Sequence, residues 1–110
     1  MSPRQREIVR YKVLKILEEQ PNASQREISE LLGVSLGSVN YCIQALIKKG
    51  FVKVDNFTKS TSKKSYIYML TPSGFLEKAE LTAEFLRIKK TEYKILKKEI
   101  EQLEKEAFDS

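Results

Sequence analysis

The chain has 110 residues, 41% apolar and 32% charged, with a formal net charge of +5. That length builds one domain, or one domain and an extended helix, around a core small enough for self-association to help. With no histidine and a single cysteine, it lacks a disulfide framework, a His/Cys zinc site and a histidine base, and no constellation of Asp, Glu, Lys or Tyr points to catalysis. The expectation is a non-enzyme with no catalytic residue, metal or cofactor. No apolar run approaches the length that crosses a bilayer, and "MSPRQREIVRYK" lacks the apolar stretch of a signal peptide. A cytoplasmic protein with no membrane partner is therefore expected. The charge is uneven: residues 1–74 carry 12 Lys+Arg against 6 Asp+Glu, whereas residues 75–110 carry 8 against 9. A polyanion-facing head and a near-neutral tail fit that pattern.

The first helix is expected from about Pro3 to Gln20. Ser2 is its candidate N-cap and Pro3 suits its first turn. Ile8, Val9, Tyr11, Val13, Leu14, Ile16 and Leu17 make more than one apolar stripe. One face is expected to pack in the domain and another against a partner chain. "QPN" at 20–22 ends the helix.

"SQREISELLG" encodes a short helix. Ser24 and Glu27 have capping-box spacing, Ile28, Leu31 and Leu32 form its apolar face, and Gly33 suits a left-handed C-cap. A turn of about three residues leads to a second N-cap candidate, Ser35. In the next helix, Val39, Cys42, Ile43, Leu46 and Ile47 recur at amphipathic spacing. Lys48 and Lys49 favour the negative end of its dipole, and Gly50 closes it.

"FVKVDNF" and "YIYML" read as two strands joined by the polar loop "TKSTSKKS" at 58–65. Thr71 then caps a last helix that begins at Pro72 and meets no breaker before about Phe108, a span of roughly 55 Å. Tyr93, Leu96, Ile100, Leu103 and Ala107 step by 3, 4, 3 and 4, a heptad seam that Leu86 extends backwards. The expected interface with a second copy is Leu86, Tyr93, Leu96, Ile100 and Leu103.

This order defines a mainly α fold with a small β-hairpin: a winged helix-turn-helix over residues 1–71, and a long C-terminal dimerisation helix, coiled-coil-like, over 72–110. Small Ser29 falls where the two motif helices approach, Gly33 in the turn, and Val34, Val39 and Cys42 at the positions that lock the second helix down. In such a motif the second helix, here 36–49, enters the DNA major groove through its first turns. Ser35, Leu36, Gly37, Ser38, Asn40, Tyr41, Gln44 and Lys48 are its candidate DNA contacts. The serines suit phosphates or base edges, Asn and Gln pair with adenine, Leu36 suits a thymine methyl, and Gly37 permits close approach. Gln25 and Arg26 offer a phosphate contact at the start of the short helix. Lys59, Lys63 and Lys64 place charge on the wing. The alternative is a winged helix that docks another protein without specific DNA binding.

The stretch "SQREISELLGVSLGSVNYCIQALIKKGFVKV" together with "YIYMLTPSG" resembles the MarR family of bacterial winged-helix transcription regulators over about residues 8–76. More narrowly, the chain resembles the short EPS-associated regulators found with exopolysaccharide genes. The resemblance implies a homodimer that reads a roughly palindromic operator, often as a repressor, and hence a nucleoid-associated location. The chain departs from the family in lacking its acidic–Arg wing pair, "DNFTKSTSKKS" holding Lys and Ser instead. It also begins almost directly with the first winged-helix helix. Dimerisation then falls mainly to the C-terminal helix, and no small-molecule ligand is expected.

Overall fold

The computed structural model describes residues 2–57 and 65–109. Its elements are α1 (Pro3–Glu19), α2 (Gln25–Leu32), α3 (Leu36–Lys48), β1 (Val52–Phe57), β2 (Ser65–Leu70) and α4 (Pro72–Phe108). The expected wing residues Lys59, Lys63 and Lys64 lie outside the described residues.

Local chemistry sets the helix ends. Ser2 and Gln5 form a full capping box: the Gln5 amide donates to Ser2 Oγ at 3.2 Å, and the Ser2 amide donates to Gln5 Oε1 at 2.9 Å. The Ser24 box is only half made. Ser24 Oγ accepts the Glu27 amide at 3.1 Å, but the Glu27 carboxylate meets the Ser24 hydroxyl rather than its backbone. Gly33 closes α2 at φ 66°, a conformation that a side chain at this position would strain. Two bonds of a Schellman motif end α3: Phe51 N–H to Leu46 O at 2.9 Å and Gly50 N–H to Ile47 O at 3.0 Å.

Two compact units divide between Glu80 and Leu81. In the first, residues 1–80, the core is Val9, Val13, Leu14 and Leu17 of α1, Ile28 of α2, Val39, Ile43 and Leu46 of α3, and Val52, Tyr68 and Leu70 of the hairpin. β1 and β2 pair antiparallel, with Val52 opposite Leu70 and Val54 opposite Tyr68. The first turns of α4 belong to this unit because the strand-to-helix junction is tied down. Thr71 Oγ1 donates to Gly50 O at 2.6 Å and accepts the Gly74 amide at 3.1 Å, confirming Thr71 as the cap. Ser73 Oγ donates to the same Gly50 carbonyl at 3.0 Å. A Cβ on Gly74 would stand 2.0 Å from Phe51 O, so only glycine permits this approach. Ion pairs Arg10–Glu77, at 3.5 Å, and Glu18–Lys78 join α1 to α4.

Three expectations about burial change. Leu31 is 60% exposed while Ile28 is fully buried; the short α2 turns away at Gly33 and leaves the Leu31 side open. Val34 and Cys42 are half-buried rather than locked inside. Ser29 does more than fill a narrow space: its Oγ donates to Val34 O at 2.5 Å, tying the turn to α2.

The second unit, residues 81–110, is described from Leu81 to Asp109 and is helical to Phe108. Leu86, Tyr93, Leu96, Ile100 and Leu103 are all exposed.

Candidate nucleic-acid interface

The geometry of α3 separates two functions around one helix. Val39, Ile43 and Leu46 are almost wholly buried. They anchor the helix against the core, since full burial of each such side chain contributes roughly 1.5–3 kcal/mol. Asn40, Tyr41, Gln44 and Lys48 emerge on the other side, with Ser35, Leu36 and Gly37 exposed at its beginning. Tyr41 is 72% and Leu36 44% exposed. Seven expected contacts thus lie on one helix, with an eighth, Ser35, as its N-cap.

The helix start is chemically defined. Ser35 Oγ accepts the Ser38 amide at 3.1 Å and donates to Ser38 Oγ at 2.9 Å. The Ser35 hydroxyl is thereby committed to the cap, and the Ser38 hydroxyl hydrogen is left for an acceptor outside this pair. The Leu36 and Gly37 amides have no earlier carbonyl on the helix to reach, as at any helix start. These donors, with the positive end of the dipole, suit a phosphate or a base edge. A Cβ on Gly37 would meet nothing nearer than Ser35 Oγ at 4.0 Å. Nothing inside the protein therefore demands glycine for lack of room.

Arg26 is exposed on the first turn of α2. Gln25, beside it, bonds within the protein. Its Nε2 donates to the Tyr68 hydroxyl at 3.1 Å, which joins α2 to the hairpin. Tyr68 is 7% exposed, and its ring stacks near Tyr66 with centroids 6.5 Å apart. Sequence reasoning missed Tyr68 because its partner lies 43 positions away.

Between α1 and α3 lies a cleft of about 410 Å³. Val9, Cys42 and Leu46 give it apolar lining, while Arg10 and Lys49 bring charge; Ser35, Gly37, Ser38 and Tyr41 of the expected DNA contacts also line it. The sequence reading expected no ligand pocket, so this cleft is new. Burial pushes the Cys42 thiol up to about 11, against the opposing pull of the Arg10 charge. Cys42 is therefore protonated near neutrality and is a poor nucleophile there. Among the described residues, no His/Cys/Asp/Glu group has the arrangement to hold a metal ion, and no single helix is long and apolar enough to cross a membrane.

These features define a winged helix-turn-helix protein. Residues 6–53 match the family of winged helix-turn-helix DNA-binding domains. Solved structures extend the likeness beyond that domain. The chain is similar to smu.1704 of Streptococcus mutans UA159, at 20% identity and a TM-score of 0.74, covering 84% of this chain and 89% of that one. It is similar to the PcaV transcriptional regulator of Streptomyces coelicolor in complex with its natural ligand, at 18% identity and a TM-score of 0.65, covering 89% and 74%. A MarR/EmrR family transcriptional regulator from Acinetobacter sp. ADP1 matches at 18% identity and a TM-score of 0.57, covering 92% and 75%. Among curated proteins, none matches the chain. The chain thus shares the fold of these solved structures, and within it residues 6–53 match the winged helix-turn-helix DNA-binding model.

Proposed function

We propose that the protein is a homodimeric regulator of transcription, most simply a repressor, that binds double-stranded DNA sequence-specifically. The observation that carries this reading is the two-sided α3: its apolar residues hold it down, and Asn40, Tyr41, Gln44 and Lys48 are left in solvent. Asn40 and Gln44 supply paired donor and acceptor atoms for base edges, and Gly37 lets the helix start approach the groove floor. Lys48 and Arg26, with Lys59, Lys63 and Lys64 of the wing, supply charge for phosphates.

The long helix gives the second part of the reading. Tyr93, Leu96 and Ile100 line a groove of about 300 Å³ and are each roughly half exposed or more. An apolar stripe of this kind is costly in water and is covered by a second copy of the same stripe. Two heads would then bind half-sites about one helical turn of DNA apart.

The test is a titration of the chain against genomic DNA fragments over a range of salt. A bound subset is expected, with log affinity falling linearly in log salt by about 0.9 per phosphate neutralised. The exposed Leu36 and Tyr41 favour one rival, docking of a protein on α3. Absent or salt-insensitive DNA binding would overturn the proposal in that rival's favour.

A further inference from the structure

Gln25 stands at the first position of α2, where the sequence alone placed it among DNA contacts. A phosphate contact there would use an N–H donor of the side-chain amide. The Gln25 amide nitrogen instead donates to Tyr68 Oη at 3.1 Å. Tyr68 lies in β2, opposite Val54, and its side chain is buried in the core. Of the side-chain hydrogen bonds among the described residues, this one joins α2 to the hairpin. A β-ribbon anchored at one end swings easily unless a polar tie fixes its angle. A second observation concerns the same strand: the Tyr66 ring stacks near Tyr68 at an interplanar angle of 25° and is 47% exposed. The tie therefore meets β2 part-way along the ladder, opposite Val54, with the Tyr66 ring two residues nearer Ser65.

We infer that Gln25 and Tyr68 form a latch that fixes the hairpin against α2, so that Gln25 is a positioning residue for DNA binding and not a DNA ligand. This rests on the DNA-binding reading above. The latch fixes the described strands of the hairpin relative to α2 while α3 sits in the groove. Its loss lets the hairpin move off the backbone without disturbing α3.

The test is a double-mutant cycle on the full chain with Gln25→Ala, Tyr68→Phe and both together. Tyr68→Phe keeps the buried ring and removes only the hydroxyl. Affinity for a selected fragment is measured across salt, and thermal unfolding is followed alongside. Each single variant is expected to lose about 3- to 10-fold in affinity, and the double variant no more than either. The salt slope should fall by the same amount in all three, because phosphate contacts go with the hairpin. Losses that multiply, or a loss in Gln25→Ala with Tyr68→Phe intact, would make Gln25 a direct ligand and overturn the latch. So would a lowered melting temperature with an unchanged salt slope, which a purely structural bond gives. Failure of the unaltered chain to bind any fragment would overturn the DNA-binding reading itself, a result separate from all of these.

Discussion

Replacing Gly37 with alanine separates what the fold needs from what DNA needs. Gly37 is the second residue of α3, and a Cβ there meets nothing nearer than Ser35 Oγ at 4.0 Å. The protein therefore has room for the methyl group. Alanine favours helix over glycine by about 0.8–1.0 kcal/mol in a helix interior, and a first-turn position keeps roughly half of that. The variant should be more stable by about 0.5 kcal/mol, a rise of roughly 2–4 °C in melting temperature for a domain of this size. DNA sees the opposite effect. The methyl carbon stands about 1.5 Å beyond Cα, so a groove wall in contact with Gly37 must retreat or the helix must tilt. Overpacking of this kind costs about 1–3 kcal/mol, which is roughly 5- to 150-fold in affinity. Thermal unfolding and a fluorescence titration with a selected duplex measure the two effects. Unchanged affinity would refute close approach at the helix start. A lower melting temperature would refute the open space around Gly37.

Other substitutions probe the parts separately. Gly74→Ala places Cβ 2.0 Å from Phe51 O and forces backbone to move, so it should destabilise by about 2–4 kcal/mol in denaturant unfolding; a loss below about 0.5 kcal/mol would show that the junction gives way easily. The double variant Leu96→Glu/Ile100→Glu puts two charges on the exposed stripe of α4 and should give a monomer by light scattering, with Ile95→Glu as the off-seam control; an unchanged dimer would move the interface to α1. Cys42 is held protonated, with its thiol raised from an ordinary 9.0 to about 11. Its contribution to stability is present below pH 9 and is lost as pH rises through 11, because the unfolded chain ionises first. Alkylation by iodoacetamide at pH 8 should be roughly 100-fold slower than for the unfolded chain; equal rates would show that the thiol is neither buried nor held neutral.

The sequence disclosed what depends on neighbours within a few positions. Ser2, Ser24 and Ser35 cap the helices as their spacing implies, Gly33 is left-handed, and α4 runs from Pro72 to Phe108 because "TPSG" starts it and no breaker follows. The buried and open sides of α3 also follow from its period, Val39, Ile43 and Leu46 against Asn40, Tyr41 and Gln44. Periodicity is less informative for α2. Eight residues make barely two turns, so which of Leu31 and Leu32 is covered depends on the helices around it. Cys42 sits at an amphipathic position but at the rim of the α1–α3 cleft, so it is only partly covered. The Gln25–Tyr68 bond has no signature in the sequence. A glutamine at a helix start reads as a polar contact, and a tyrosine in a strand reads as a core ring. Only the folded chain brings them together. The attachment of the first α4 turns to α1 through Arg10–Glu77 and Glu18–Lys78 is hidden in the same way.

The claim that α3 reads bases is tested most directly by the ratio of affinities for a selected fragment and for random duplex of equal length, at one salt concentration. Asn40→Ala and Gln44→Ala should each lower binding to the selected fragment by about 1–3 kcal/mol and leave random duplex nearly unchanged, so that the ratio falls roughly 5- to 150-fold. Equal losses on both duplexes, with the ratio preserved, would contradict base reading by this helix and leave only attraction to the phosphate backbone.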